Sequence, residues 1–166
     1  MIEYITHEQV RNAFVYNKKT GLLVRRFSVG KAIAGKAATY KDRDGYLRVG
    51  FKGVLHATHR LIWFYVTGEW PKGDIDHINR IKDDNRWVNL RDVTRSENKQ
   101  NQLAMKTNKC GVKGVYWCAA RRKYEASIQH HGKNYYLGQF ESIHDAADAY
   151  AKKAAELHKF NPSAKT

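Results

Sequence analysis

The sequence predicts an α+β protein built from two small domains, on three observations. Its 166 residues suit one ordinary domain or two small ones. Segments with strand-type alternation are interspersed with segments whose apolar residues recur at helical spacing. Hydrophobic residues make up 42% of the chain and aromatic residues 12%, which excludes a disordered basic tail of the histone type.

The N-terminal third contains signals for a short helix and a hairpin. Thr6-x-x-Gln9 has the form of a capping box and predicts a helix that ends near Phe14. Residues 46–51 alternate between apolar and polar side chains and are flanked by Asp-Gly and Lys-Gly turn signals. We therefore expect a hairpin that returns through residues 54–58.

A buried helix and a strand-helix pair are predicted further along. Residues 59–66 are apolar nearly all round and stop at a Thr-Gly pair, which is typical of a short buried helix. Residues 90–93 resemble a short strand. The sequence Thr94-x-x-Glu97 is a second capping box, and it opens a helix that carries Asn98.

The last third predicts three strands and one helix. Residues 115–117, 124–130 and 133–140 have strand patterns, and the last two are joined at a His-His-Gly-Lys turn. Ser142 caps a helix whose apolar residues fall at helical spacing up to Leu157. A three-stranded antiparallel sheet packed on one helix is the simplest architecture that buries this stripe.

The net charge indicates a polyanionic partner. Thirty Lys and Arg face 16 Asp and Glu, which gives a net charge of +14. The excess is +8 in residues 1–104 and +6 in residues 105–166. Because both halves are basic, we expect both to contact the same polyanion.

Other classes of protein are disfavoured. No run of residues approaches the roughly 18 apolar residues of a membrane span, and the N-terminus lacks the layout of a signal peptide. We expect a cytoplasmic protein without a membrane partner. Cys110 and Cys118 are interpreted as small buried thiols, in preference to a zinc site with His130 and His131, because their spacing fits no common zinc module.

The segment 74–101 contains the side chains best suited to chemistry. Asp76 beside His77 pairs a hard oxygen ligand with a group that titrates near neutral pH, which suits metal-assisted hydrolysis. The predicted order of strand, loop, strand and helix would bring Asn98 back against this pair. His59 is interpreted as a core or loop-bracing residue, and Asp83 and Asp84 as members of loop-fixing ion pairs.

The segment resembles the HNH homing endonucleases of phages and mobile introns. The match is carried by His59-Arg60-Leu61, Ile75-Asp76-His77-Ile78-Asn79, Asp84-Asn85-Arg86, Asn89-Leu90-Arg91, Thr94 and Glu97-Asn98-x-x-Asn101. The resemblance implies the ββα-metal nuclease fold and a DNA substrate.

Carried over position by position, the resemblance implies four roles. His77 would be the general base that takes a proton from the attacking water. Asn89 would hold the catalytic loop and orient the base. Asp76 and Asn98 would be ligands of one magnesium or manganese ion, and no small-molecule cofactor is implied. Asn98 stands where many HNH enzymes have histidine.

Residues 112–158 resemble a second family, the APETALA/ethylene-response-factor class of DNA-binding domain. The match is carried by Gly114-Val115, Tyr124, Ala126, Ile128, Tyr136-Leu137-Gly138, Phe140 and Ala146-Ala147-x-Ala149-Tyr150. With both resemblances, the chain divides into a nuclease domain at 1–104, a linker at 105–111 and a DNA-binding domain at 112–166.

Alternation along the predicted strands places one set of side chains on the face opposite the helix. The face that the resembling family uses on DNA, with the basic residues near it, comprises Lys113, Tyr116, Trp117, Arg121, Arg122, Lys123, Ser127, Gln129, Lys133, Asn134 and Tyr136. Gln129 and Asn134 suit adenine edges, and the basic residues suit phosphates.

The predicted function is that of a metal-dependent, site-specific DNA endonuclease of the homing type, which hydrolyses a phosphodiester bond. A monomer is favoured, and nicking and double-strand cutting both remain open. The alternatives are a non-catalytic DNA-binding regulator and an RNA-binding protein.

Overall fold

The structure is a computed structural model that describes residues 5–105 and 107–158. It confirms the predicted α+β class. Its helices and strands, in chain order, are α1 (His7–Ala13), β1 (Phe14–Tyr16), β2 (Leu23–Arg25), β3 (Tyr40–Lys41), β4 (Leu47–Phe51), β5 (Val54–Ala57), α2 (Thr58–Thr67), β6 (Asp74–His77), β7 (Leu90–Val93), α3 (Arg95–Asn101), β8 (Val115–Cys118), β9 (Lys123–His130), β10 (Lys133–Phe140) and α4 (Ile143–Leu157).

The chain divides into two compact units, one ending at Thr94 and the other beginning at Arg95. The predicted nuclease domain ends later, at residue 104, and would include helix α3. In the structure α3 groups with the second unit. One reason is visible in the second unit, where the side chain of Lys113 is hydrogen-bonded to backbone carbonyls at the end of α3. Residue 106 of the predicted linker and residues 159–166 of the predicted second domain lie outside the described residues.

The first unit begins with the predicted capping box. The Thr6 side chain accepts from the Gln9 N–H, and the Gln9 side chain accepts from the Thr6 N–H. Helix α1 ends at Ala13, because Phe14 already has extended backbone and pairs with Arg25 in the β1–β2 hairpin. This hairpin was not predicted.

The predicted hairpin between β4 and β5 is confirmed. Its two-residue loop has φ of 48° at Lys52 and 75° at Gly53, as in the turns that match the twist of hairpin strands. Helix α2 follows directly and ends at Thr67, and Gly68 with its φ of 81° caps the helix as the sequence predicts. The α2 side chains Leu61, Ile62 and Phe64 are buried in the core of this unit.

Strands β6 and β7 pair antiparallel, with Asp76 opposite Arg91 and His77 opposite Leu90. The loop between them ends in a 3₁₀ turn at Trp87–Asn89. Strand β7 confirms the prediction for residues 90–93. The two strands place the Asp76-His77 pair at the end of β6, where the connecting loop begins.

The second unit contains a three-stranded antiparallel sheet in the order β10-β9-β8. Each observed strand lies within one residue of its predicted ends. Ser142 caps α4 by accepting from the backbone of His144 and Asp145, as predicted. The core of this unit comprises Val115, Ala126, Ile128, Ala146, Tyr150 and Ala154. Among the described residues of the whole chain, no helix is long and apolar enough to cross a membrane.

Candidate active site

The site begins at the end of strand β6. Asp76 and His77 are both buried, with exposed fractions of 7% and 4%. Nε and Nη2 of Arg91 donate to Oδ2 of Asp76 at 2.8 and 2.5 Å. Because β6 and β7 place these two residues opposite each other, the strand register brings the guanidinium to the carboxylate.

The imidazole of His77 lies near the rings of His59 and Tyr46 and the amide of Asn85. Its ring centroid is 5.2 Å from that of His59 and 5.9 Å from that of Tyr46. Its Nε2 lies 3.0 Å from Oδ1 of Asn85. Burial lowers the pKa of His77, while the hydrogen bond to Asn85 and the charge of Asp76 act in the opposite direction. The imidazole is therefore neutral near pH 7, the state that a general base needs.

His59 is a buried residue of the core, which agrees with its interpretation from the sequence. Burial, followed by the charges of His77 and Arg60, lowers the pKa of His59 to about 3. Its Nδ1 is buried and has no hydrogen-bond partner among the described residues. The side chain is thus a neutral ring packed against His77.

The loop that follows β6 is braced by Asn89. Nδ2 of Asn89 donates to the carbonyl of Asp84 at 2.7 Å, and Oδ1 accepts from the N–H of Asn79 at 2.9 Å. The backbone carbonyl of Asn89 accepts from the N–H of Ile78 at 2.9 Å. Both ends of this amide therefore fix the loop backbone on either side of its turn.

Asp83 and Asp84 both form ion pairs, as predicted, although the partner of Asp83 comes from β3 and not from the loop. Lys41 pairs with Asp83 at 2.6 Å, and Arg86 pairs with Asp84 at 2.6 Å. The Arg86 hydrogen bonds hold the pKa of Asp84 down at about 2. These two carboxylates are engaged in fixing the loop.

The donor chemistry of the predicted metal ligands suits a hard cation. A carboxylate from Asp76 and an amide oxygen from Asn98 are ligand types that magnesium and manganese accept. Within residues 5–105 and 107–158, no three His, Cys, Asp or Glu side chains are placed to share a metal ion. Magnesium sites do not need such a cage, because waters and substrate phosphates complete them. Over the same residues, Cys110 and Cys118 are half-buried free thiols.

Asn98 lies on α3, which belongs to the second unit. In that unit Nζ of Lys113 donates to the carbonyls of Lys99, Gln100 and Gln102 at 2.5, 3.0 and 2.8 Å. Burial lowers the pKa of Lys113 to about 8. The ammonium of Lys113, one of the residues predicted to contact DNA, is therefore hydrogen-bonded at the end of α3.

The sheet of the second unit presents a polar face away from α4. Ala126 and Ile128 are buried on the helix side, so Ser127 and Gln129 lie on the other side. Across the ladder, Ser127 pairs with Tyr136 and Gln129 with Asn134, and Tyr116 lies on the same face opposite Glu125. Gln129 and Asn134, which were predicted to read bases, are thus cross-strand neighbours and both exposed.

Trp117 lies on the opposite face from its neighbour Tyr116. It pairs with Tyr124, and the two rings contact edge to face at a centroid distance of 4.8 Å. Because successive strand residues alternate between faces, Tyr116 and Trp117 cannot share one face, as the sequence analysis had placed them. Trp117 therefore belongs to the edge of the helix-side face.

The basic residues near this face differ in what they contact. Arg121 pairs with Glu125 at 2.7 Å and Lys123 with Glu141 at 2.9 Å. Arg122 adopts a positive φ of 52° in the turn between β8 and β9. Nζ of Lys133 lies 5.2 Å from the ring centroid of Tyr135. Arg121 is still exposed at 61% of its side chain, so these pairings do not bury its charge.

A groove of about 660 Å³ lies within the second unit. It is lined by Gln129 and Asn134 from the sheet and by Arg95 and Lys99 from α3. Amide side chains suited to base edges and basic side chains suited to phosphates thus share one concave surface.

Comparison with known proteins finds a family match over the segment that contains Asp76 and His77. The family model described as HNH endonuclease matches residues 56–100. Protein 3.8 of Escherichia phage T7 is 30% identical over 115 residues, which cover 68% of this chain and 94% of the phage protein. The chain belongs to the family of this phage protein and carries an HNH endonuclease domain. An HNH domain implies a DNA substrate. No solved structure matches the chain.

The HNH match spans β5 to α3 and so contains Asp76, His77, Asn89 and Asn98. Two residues of this domain with direct contacts in the site were given no individual role in the sequence analysis, namely Asn85 and Arg91. Both lie in the motifs that carry the resemblance, but residue type alone did not distinguish them from neighbouring loop and strand residues.

Proposed function

We propose that the chain is a metal-dependent DNA endonuclease that cuts at specific sites and serves in homing. The observation that supports this most directly is the buried imidazole of His77, which follows Asp76 in β6. Burial keeps this ring neutral, and its Nε2 lies 3.0 Å from Oδ1 of Asn85. The pair lies inside the HNH match.

In the proposed reaction, His77 accepts a proton from a water molecule as the water oxygen bonds to the scissile phosphorus. The bond between phosphorus and the 3′ oxygen breaks, and the leaving oxygen takes a proton from solvent. Asn89 keeps the loop after β6 in place through its two backbone hydrogen bonds. The enzyme thus combines one base with a rigid loop.

Asp76 and Asn98 would hold the single divalent ion that HNH nucleases typically use, magnesium or manganese. When bound, the ion would neutralise charge on the scissile phosphate and on the leaving 3′ oxygen. Arg91 holds the Asp76 carboxylate in position and supplies a positive charge next to it.

The second unit is proposed to bind DNA through the sheet face opposite α4, as in the APETALA/ethylene-response-factor class. Support comes from the exposed amides of Gln129 and Asn134 and the exposed rings of Tyr116 and Tyr136 on that face. Arg121, Arg122, Lys123 and Lys133 are proposed to contact phosphates. A two-stranded or larger sheet is one of the elements that fits a major groove.

The test is to incubate the full chain with phage genomic DNA and magnesium or manganese, and to map the 5′ ends formed on each strand. Recurrent ends that require the metal are expected. Ends on one strand would indicate nicking by a monomer with one active site, and paired ends would indicate double-strand cutting.

DNA binding without cleavage, with magnesium and with manganese, would instead support the alternative function of a non-catalytic DNA-binding regulator. Direct competition between duplex DNA and structured RNA, in the presence of EDTA, addresses the RNA-binding alternative. Preferential binding of the RNA would overturn the proposed function.

A further inference from the structure

The amide of Asn85 contacts the ring of the proposed general base, and Asn89 uses its amide elsewhere. We propose that Asn85 is the positioning residue of His77: its Oδ1 accepts a hydrogen bond from the Nε2–H, so that Nδ1 is the unprotonated, basic nitrogen. This inference rests on the proposed nuclease function for its catalytic meaning. It reassigns to Asn85 the orienting role that the family resemblance gives to Asn89.

The contact distances separate the two asparagines. Oδ1 of Asn85 lies 3.0 Å from Nε2 of His77, within hydrogen-bond range. Oδ1 and Nδ2 of Asn89 are both hydrogen-bonded to loop backbone, at Asn79 and Asp84. Asn89 therefore shapes the loop, while Asn85 touches the ring itself.

Asn85 is held rigidly enough to orient another group. It is only 1% exposed. Its backbone carbonyl accepts a hydrogen bond from the Tyr16 hydroxyl at 2.7 Å. Burial, reinforced by the charge of Asp84, raises the pKa of Tyr16 to about 12, so this hydroxyl remains a donor throughout the neutral range.

The β1–β2 turn also closes tightly on the Asn85 backbone. Gly21 has φ of 77°, and a Cβ built there would lie 2.6 Å from the carbonyl carbon of Asn85 and 2.5 Å from the nitrogen of Arg86. A glycine is therefore needed for this close approach. The hairpin thereby fixes the backbone from which the Asn85 amide reaches His77.

The orientation of the amide determines the histidine tautomer. With Oδ1 facing Nε2, the ring carries its proton on Nε2. The opposite amide orientation would present Nδ2 to Nε2 and require the proton on Nδ1. Among the described residues Nδ2 of Asn85 is buried without a hydrogen-bond partner, so the contact of this amide with the His77 ring runs through Oδ1.

The test is long-range ¹H–¹⁵N NMR of the histidine rings in the full, metal-free chain at about pH 8.5, where imidazoles are neutral. The His77 resonances are assigned by their loss in His77→Gln. The wild type is expected to show the Nε2–H tautomer. Asn85→Leu should shift His77 towards a mixture of tautomers, and Asn85→Asp should restore the Nε2–H form.

The matched control is Asn12→Leu, which removes an exposed amide from α1 and should leave the His77 resonances unchanged. An Nδ1–H tautomer in the wild type would overturn the inference, and so would an Asn85→Leu spectrum identical to wild type. If Asn85→Leu does not fold, the His77 tautomers of the wild type and of Asn85→Asp still test the inference, because both are expected to be Nε2–H.

Cleavage provides a separate readout. If the chain cuts DNA, Asn85→Leu should lower the single-turnover rate by about 10- to 100-fold, as loss of a residue that orients a catalytic group does, with DNA affinity in EDTA unchanged. Absence of cleavage in the wild type would contradict the proposed function, while the tautomer would still report on the positioning role.

Discussion

Arg91 holds the carboxylate of Asp76 through two hydrogen bonds to a single oxygen, at 2.8 and 2.5 Å. The two side chains are 20% and 8% exposed, so the pair is largely shielded from water. The proposed metal ligand is thus also a structural partner of a buried cation, and loss of the carboxylate affects stability as well as metal binding.

We expect Asp76→Ala to lower the free energy of unfolding by about 3 kcal/mol, because it leaves the Arg91 charge buried without this partner. The double variant Asp76→Ala/Arg91→Leu should lose less free energy of unfolding than the two single variants lose together, by at least about 1 kcal/mol. Urea unfolding of the four proteins measures this coupling. Additive effects would show that the ion pair does not contribute.

His59 should make the fold sensitive to acid. Its pKa is about 3 in the folded chain and 6.5 when exposed, so the unfolded chain binds more protons between these values. His59 therefore does not reduce the free energy of unfolding above about pH 6.5. As the pH falls from 6.5 towards 3, the free energy of unfolding decreases by up to about 1.4 kcal/mol for each pH unit.

The measurement is urea unfolding of wild type and His59→Phe between about pH 4 and 7. His59→Phe keeps an aromatic ring beside His77 and cannot titrate, so its stability should depend less steeply on pH. The exposed His144 provides the control in His144→Gln, which should retain the wild-type slope. Equal slopes for wild type and His59→Phe would contradict the prediction.

Lys113 should stabilise the end of α3. Lys113→Met keeps the length of the side chain but removes the donor to three carbonyls, and we expect a loss of about 1–2 kcal/mol. Hydrogen exchange should become faster in α3, which carries Asn98. Exposed Lys109 gives the control in Lys109→Met. Unchanged exchange in Lys113→Met would contradict the proposed support of α3.

Lys133 should contribute a phosphate contact. Lys133→Ala is expected to weaken DNA binding about equally for all sequences and to reduce the slope of log affinity against log salt by about one. The charge-matched control is Lys152→Ala on α4, an exposed lysine outside the set proposed to contact phosphates. Titration of a labelled duplex at several salt concentrations measures both slopes, and equal slopes would contradict the assignment.

Local signals predicted much of the second unit. Strand alternation, the turn at Gly132 and the Ser142 cap placed the ends of β9, β10 and α4 within one residue, because each depends on neighbours in the chain. The same alternation rule, applied to two successive residues, separates Tyr116 from Trp117, and only the observed pairing with Tyr124 showed which of them lies on the helix side.

The site depends on contacts that leave no local pattern. Tyr16 reaches the carbonyl of Asn85 across 69 positions of the chain, from a hairpin that the sequence did not predict. Lys113 resembled a phosphate contact by residue type, and only the fold shows its ammonium at the end of α3. The resemblance singled out Asp76 and His77, while the contacts that Arg91 and Asn85 make with them are visible only in the structure.

The most direct test is single-turnover cleavage of supercoiled plasmid by wild type, His77→Ala and the control His144→Ala. Wild type and His144→Ala should convert the plasmid to nicked or linear product at equal rates with magnesium or manganese, and EDTA should abolish the reaction. His77→Ala, shown to be folded by circular dichroism, should be slower by about 100-fold or more. Equal rates for wild type and His77→Ala would contradict the assignment of His77 as the general base.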